Sequence, residues 1–131
     1  MEIRNKRILV TGGLGFIGSH LVEKLLDYNC DVSIYDNYDD FYPGKEENAR
    51  IIQQHAQQKG ITLEIIRGDI RDQSKLSTSI KGCKGVFHLA AQAGVRYCNE
   101  DPVKANQVNV DGTINVLLTS KQHGVEKTVC A

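Results

Sequence analysis

Several things are scarce or missing in this 131-residue sequence, and each absence excludes a class of function. Charge of one sign is missing: sixteen Lys and Arg stand against sixteen Asp and Glu, and the pI is near 6.9. No basic run is longer than Arg4-Asn5-Lys6-Arg7. Such a chain carries no long-range field to gather nucleic acid or anionic lipid. Long hydrophobic runs are missing too, so no segment reads as a membrane span. The first seven residues are polar and strand-like sequence follows at once, so no signal peptide is expected. Cys30, Cys83, Cys98 and Cys130 form no CxxC pair and read as reduced thiols of a cytoplasmic protein. His20, His55, His88 and His123 show no metal-ligand spacing, so no metal is expected.

What is present alternates between two kinds of segment. Short runs rich in β-branched residues come first in each pair: 7–10, 32–35, 63–66, 86–89 and 128–131. Runs of this kind are expected of strands buried on both faces. Between them lie helical patterns. Ile17, Leu21, Leu25 and Tyr28 form one stripe, widened by Leu26, and Ile51, Ile52 and Ala56 give 46–59 an apolar face. Residues 73–80 form a short helix. A fourth helix has Asp101 as N-cap and Pro102 at its first position, with Val103, Gln107, Val110, Ile114 and Leu117 along one side and Gly124 closing it. Strand and helix thus alternate, and parallel connections require right-handed crossovers. The expected fold is α/β, a doubly wound parallel sheet in the order 3-2-1-4-5. One domain spans residues 1–131 and stops at its fifth strand. Ligands of such sheets bind beyond the strands' carboxyl ends, where the strand order reverses between β1 and β4.

The turn after the first strand, Val10-Thr11-Gly12-Gly13-Leu14-Gly15-Phe16-Ile17-Gly18, carries glycines at 12, 13, 15 and 18. Glycine permits a sharp turn, lets backbone approach a pyrophosphate, and allows tight helix–strand packing. The helix that follows offers free N–H groups and its positive dipole end to an anion. A GxGxxG alone also fits an ordinary turn. Here it lies between strand and helix, and Asp36 ends the next strand 21 positions after Gly15. A carboxylate there accepts from both adenosine ribose hydroxyls and repels a 2′-phosphate, which predicts a Rossmann-type NAD site. A Walker phosphate loop is excluded, because its lysine is absent.

Other residues fall near this crevice. Asp69, after the third strand, reads equally well as a partner for adenine's amino group and as a turn residue capping the third helix. Small residues at Ala90, Ala91 and Ala93 leave room for a flat ring. His88 falls in strand sequence with no acidic residue nearby, so it reads as a buried, hydrogen-bonded histidine rather than a catalytic base. Arg96 fits a substrate phosphate or carboxylate and fits a solvated loop equally well.

Taken in order, Thr11-Gly12-Gly13-Leu14-Gly15-Phe16-Ile17-Gly18, Asp36-Asn37, Gly68-Asp69-Ile70, His88-Leu89-Ala90-Ala91-Gln92 and Asn109-Val110-Asp111-Gly112-Thr113 resemble the extended short-chain dehydrogenase/reductase family. Its members are NAD-dependent sugar-nucleotide epimerases and dehydratases. The resemblance implies cofactor contacts from Gly12, Gly15, Phe16, Ile17, Asp36, Asn37, Asp69, Ile70, Ala90, Ala91 and Asn109. Residues 36–43 and 91–97 look most like UDP-glucuronate 4-epimerases, which places Gln92 and Arg96 on the substrate side. It further implies a UDP-sugar substrate and a homodimer.

One departure limits what is implied. The family's proton transfer uses a serine or threonine past the fifth strand and a Tyr-x-x-x-Lys helix, the lysine lowering the tyrosine pKa. Four residues after Tyr28, Tyr35, Tyr38, Tyr42 and Tyr97 stand Val32, Asp39, Tyr42, Glu46 and Asp101. The sequence therefore reads as the front part of an epimerase, with no catalytic residues of its own. The competing reading is a small NAD-sensing module without catalysis.

Overall fold

The computed structural model describes residues 1–131. Its five strands are β1 (Arg7–Thr11), β2 (Asp31–Asp36), β3 (Leu63–Arg67), β4 (Gly85–His88) and β5 (Lys127–Cys130). All pairings are parallel and the order is β3-β2-β1-β4-β5, as the alternation of segments predicts. Side chains alternate between faces along each strand. Ile8, Val10, Val32 and Ile34 enter one core, beneath helices α1 (Phe16–Asp27) and α2 (Lys45–Lys59). Leu9, Tyr35 and Val86 enter the other, beneath α3 (Gln73–Ile80) and the long helix before β5. Burial on both faces explains why these strands read as unbroken apolar runs.

The helix ends follow their local chemistry. Asn29 lies in the left-handed region after α1, with its N–H on Leu26 O and that of Cys30 on Leu25 O. Gly60, at φ +64°, ends α2 in the same manner. Asp72 caps α3 through Lys75 N, and Asp101 caps the helix that Pro102 opens through Lys104 N.

Three expectations need correction. On α1 the buried face is Gly18, Val22, Leu25 and Leu26, while Ile17 and Tyr28 are exposed; on α2, Ala49 takes the place expected of Ile51. The segment after β4 holds an additional helix, α4 (Val95–Glu100), with no buried residue. The fourth expected helix is α5 (Pro102–Asn106), a π-helical turn (Gln107–Asp111) and α6 (Gly112–Gln122) in succession. Its inward face is Ala105, Val108, Gly112, Val116, Thr119 and Ser120, whereas Val103, Val110, Ile114 and Leu117 point out. The small residues face inward because the helix backbone lies close to its neighbours. A Cβ on Gly112 would stand 2.5 Å from Cδ1 of Ile70. No helix is long and apolar enough to cross a membrane.

Candidate functional site

β1 and β4 end level, with Thr11 beside His88 in the register, and the chain leaves them in opposite directions. A cleft of about 350 Å³ opens there, walled by the turns after β1, β2, β3 and β4. That volume lies at the lower end of the range for small-molecule and cofactor sites.

The glycine-rich turn forms its floor, and its glycines differ in what they do. Gly12, at φ +69°, holds the turn in a conformation other residues resist, and a Cβ there would stand 2.8 Å from Ala90 N. A Cβ on Gly18 would meet Gly12 O at 2.1 Å, so glycine there is demanded by packing. Gly15 differs. At φ −72° an added Cβ would approach nothing closer than Gly12 O at 3.4 Å, and Gly15 lines the cleft. Packing within the chain does not explain this glycine, but an anion resting on the turn does. No side chain caps α1 and its first turn holds no acidic residue.

At the far end Asp36 is 3% exposed and its carboxylate is nearly saturated. Oδ2 accepts from Leu14 N at 3.1 Å, and Oδ1 accepts from Tyr38 N at 2.9 Å and Lys45 Nζ at 3.1 Å. Tyr38 is held at φ +58°, rare for an aromatic residue, with the Arg67 guanidinium 4.9 Å from its ring centroid. Asn48, on α2, donates to Leu14 O at 2.8 Å and ties that helix to the glycine turn.

Asp69 does not cap α3; Asp72 does. The Asp69 carboxylate accepts from Arg71 N, Nε and Nη2, and the Arg71 guanidinium holds its pKa below the usual carboxylate value. The Tyr35 hydroxyl donates to Asp69 O at 2.9 Å, and burial pushes its pKa up to about 12, so it remains a donor.

Of the thirteen positions singled out in the sequence, eleven line this cleft: Gly12, Gly15, Phe16, Ile17, Asp36, Asn37, Asp69, Ile70, Ala90, Ala91 and Gln92. Asn109 does not line it and is exposed on the π turn. Its side chain clamps Gln92, accepting from Gln92 N at 2.8 Å and donating to Gln92 O at 3.1 Å. Arg96 stays outside, 85% exposed on α4, and donates to Glu100. His88 is buried between Thr11 and Thr113, and burial lowers its pKa. Sequence reasoning missed Lys45, Lys104, Phe41 and Tyr42, which also line the cleft. Lys45 carried a faint signal, a cation opening the helix that follows Asp36.

A parallel sheet, a glycine turn under an uncapped helix and a carboxylate ending β2 define a dinucleotide-binding Rossmann domain. More narrowly, the chain belongs to the GDP-mannose 4,6-dehydratase family, whose model matches residues 9–130. Its homologues are NAD-dependent sugar-nucleotide epimerases and dehydratases. A UDP-N-acetyl-alpha-D-glucosaminuronate decarboxylase of Bacillus cytotoxicus is 37% identical over 96% of this chain and 36% of its own length. The UDP-glucose 4-epimerase of Thermus thermophilus, solved with NAD, superposes with a TM-score of 0.75 at 40% identity over 93% of this chain and 36% of that one. A UDP-N-acetylglucosamine 4-epimerase of Methanobrevibacter ruminantium, solved with UDP-N-acetylmuramic acid, gives 0.78 at 36% identity over 95% and 37%. The chain therefore spans about a third of the length of the relatives it matches.

Proposed function

We propose that this chain is the NAD-binding part of a nucleoside-diphosphate-sugar epimerase of the UDP-glucuronate 4-epimerase kind. The observation that carries the cofactor reading is Gly15, a cleft-lining glycine whose missing side chain the chain's own packing leaves unexplained. With the pyrophosphate on that turn, the adenosine ribose falls toward Asp36 and the nicotinamide toward Ala90 and Ala91. NAD, when bound, takes the C4 hydride of the sugar and returns it to the opposite face. The residues here bind and orient; the proton-transfer pair is not among them.

Support for the uronate comes from the two stretches that resemble those epimerases, because they meet in space. Phe41 of one packs edge-on against Tyr97 of the other, with ring centroids 5.0 Å apart. Lys104 Nζ lies 3.7 Å from the Asp39 carboxylate at the same mouth. Gln92, on the cleft wall, is assigned to the substrate side. Arg96 is assigned there too, and requires α4 to turn for its guanidinium to reach the sugar.

Fluorescence titration tests the cofactor reading: NADH binds, and NADPH binds more weakly. Equal or tighter NADPH binding overturns it. With UDP-glucuronate or UDP-glucose this chain shows no turnover, since general acid–base help is typically worth about 10²–10⁴ in rate. Turnover above a mock-purified control overturns the assignment of catalysis to other residues. In a longer protein carrying this chain, C4 epimerisation of UDP-glucuronate is expected. Dehydration of the sugar instead assigns the chain to the dehydratases.

A further inference from the structure

The nicotinamide end of the cleft rests on an imidazole whose proton the geometry places from both sides. His88, the last residue of β4 and 4% exposed, lies between Thr11 at the end of β1 and Thr113 on α6. Its Nδ1 is 2.7 Å from Thr11 Oγ1 and its Nε2 is 2.9 Å from Thr113 Oγ1. Thr11 Oγ1 already accepts from Leu89 N and Ala90 N, both at 3.2 Å, so its single proton points to Nδ1. Thr113 Oγ1 donates to Asn109 O at 2.7 Å, so it can only accept from Nε2. Both ends require the neutral Nε2–H form.

Hydrogen bonds of one direction therefore run from Ala90 N–H through Thr11, His88 and Thr113 to the Asn109 carbonyl. The two ends belong to one wall. Ala90 lines the cleft, and the Asn109 side chain clamps Gln92, which also lines it. We propose that His88 is a positioning residue of this site. As a neutral Nε2–H imidazole it sets the backbone of residues 89–92 against the π turn, and with it the surface that receives the nicotinamide end of the cofactor. The proposal rests on the reading of the cleft as a dinucleotide site.

Two measurements test it. Long-range ¹H–¹⁵N correlation spectra of the imidazoles report the tautomer without any ligand. NADH titration of the Thr113→Val and Thr113→Ser variants reports the coupling, since Thr113 does not line the cleft. The expected results are an Nε2–H imidazole at His88 and NADH binding about five- to tenfold weaker in Thr113→Val, the loss of roughly one hydrogen bond. Thr113→Ser, which keeps the hydroxyl, binds as the unsubstituted chain does. Thr113→Ala carries the same expectation as Thr113→Val should the valine variant not fold. An Nδ1–H tautomer overturns the proposal. So does a folded Thr113→Val that lowers the melting temperature and leaves NADH affinity unchanged, since that is a merely structural hydroxyl. A chain that holds no NADH at all overturns the cofactor reading, and the positioning role with it. The tautomer tells that failure from the others.

Discussion

The ammonium of Lys45 stands 3.1 Å from the carboxylate of Asp36, in a pair whose side chains are 15% and 2% exposed. Asp36 was identified from its place at the end of β2, but its partner sets what happens when the carboxylate is lost. On the proposed reading of the cleft, Asp36 repels a 2′-phosphate, and the one acceptor position that Leu14 N, Tyr38 N and Lys45 Nζ leave open takes a ribose hydroxyl. Asp36→Ala removes that anion and leaves the Lys45 cation without its partner at the same place. The expected outcome is more than a weakened NADH complex: NADPH affinity rises relative to NADH, approaching or passing it. Paired titrations of both cofactors check this. An Asp36→Ala variant that keeps the parent's preference unchanged shows that the carboxylate does not select the cofactor.

Two glycine substitutions separate packing from ligand access. Gly15→Ala fits the backbone, and glycine-to-alanine changes of this kind stabilise by about 0.4–1 kcal/mol through the unfolded chain. Its melting temperature is expected to hold or rise while NADH affinity falls at least about tenfold, the loss of close backbone approach to the pyrophosphate. Gly18→Ala places a Cβ 2.1 Å from Gly12 O and is expected to destabilise the fold by about 1–3 kcal/mol. A Gly15→Ala variant that binds NADH normally removes the argument that this glycine is kept for a ligand.

These substitutions also mark what could be read without coordinates. The order of the sheet follows from five short apolar runs separated by helical patterns, and the turn at residues 12–18 is legible because backbone sterics demand glycine at Gly12 and Gly18. The pairing of Lys45 with Asp36 was not legible beyond a cation at the start of the next helix, since it depends on how α2 folds back across the end of β2. The role of Asp69 was undecidable for a similar reason. Two aspartates three positions apart compete for the cap of α3, and only the position of Arg71 assigns the cap to Asp72. Helix α4 has no apolar face to betray it, and the π turn at Gln107–Asp111 interrupts a helical pattern without glycine or proline within it before Gly112. The outward face of α6 was misread because the inward one is built from small and hydroxyl residues, which carry little periodic signal.

His88 gives the stability a pH dependence whose sign is fixed. Burial lowers its folded-state pKa below the ordinary value of 6.5, so the unfolded chain binds the proton more readily. The only side chains within hydrogen-bond reach of its ring nitrogens are the Thr11 and Thr113 hydroxyls, and its register neighbour on β5 is Cys130. Stability is full above the unfolded pKa and falls as pH drops below 6.5 toward the folded value. Melting temperatures measured from pH 7.5 down to 5 are expected to decline, with a smaller decline for His88→Asn, which has no proton to gain. Equal slopes for the two proteins remove His88 as the cause.

The outward face of the π turn and α6 leads to the last prediction. Val110, Ile114, Leu117 and Leu118 are each between 45% and 52% exposed, on helices whose inward face is already filled. Apolar patches of this kind drive association when nothing covers them. A second source lies at the sheet's margin, where β5 pairs with β4 alone and Val129 is 43% exposed. An unprotected edge strand is a template for pairing with another chain. Self-association of this chain is therefore expected, read as a rise in scattering mass over a concentration series. Of the two surfaces, the helical face is expected to carry most of this association. Ile114→Lys with Leu117→Glu is expected to shift the chain toward monomer with its circular dichroism unchanged, whereas Val129→Lys removes only the edge contact. If Val129→Lys alone abolishes association, the helices are not the interface. If the unsubstituted chain is monomeric at every concentration, neither surface acts in isolation.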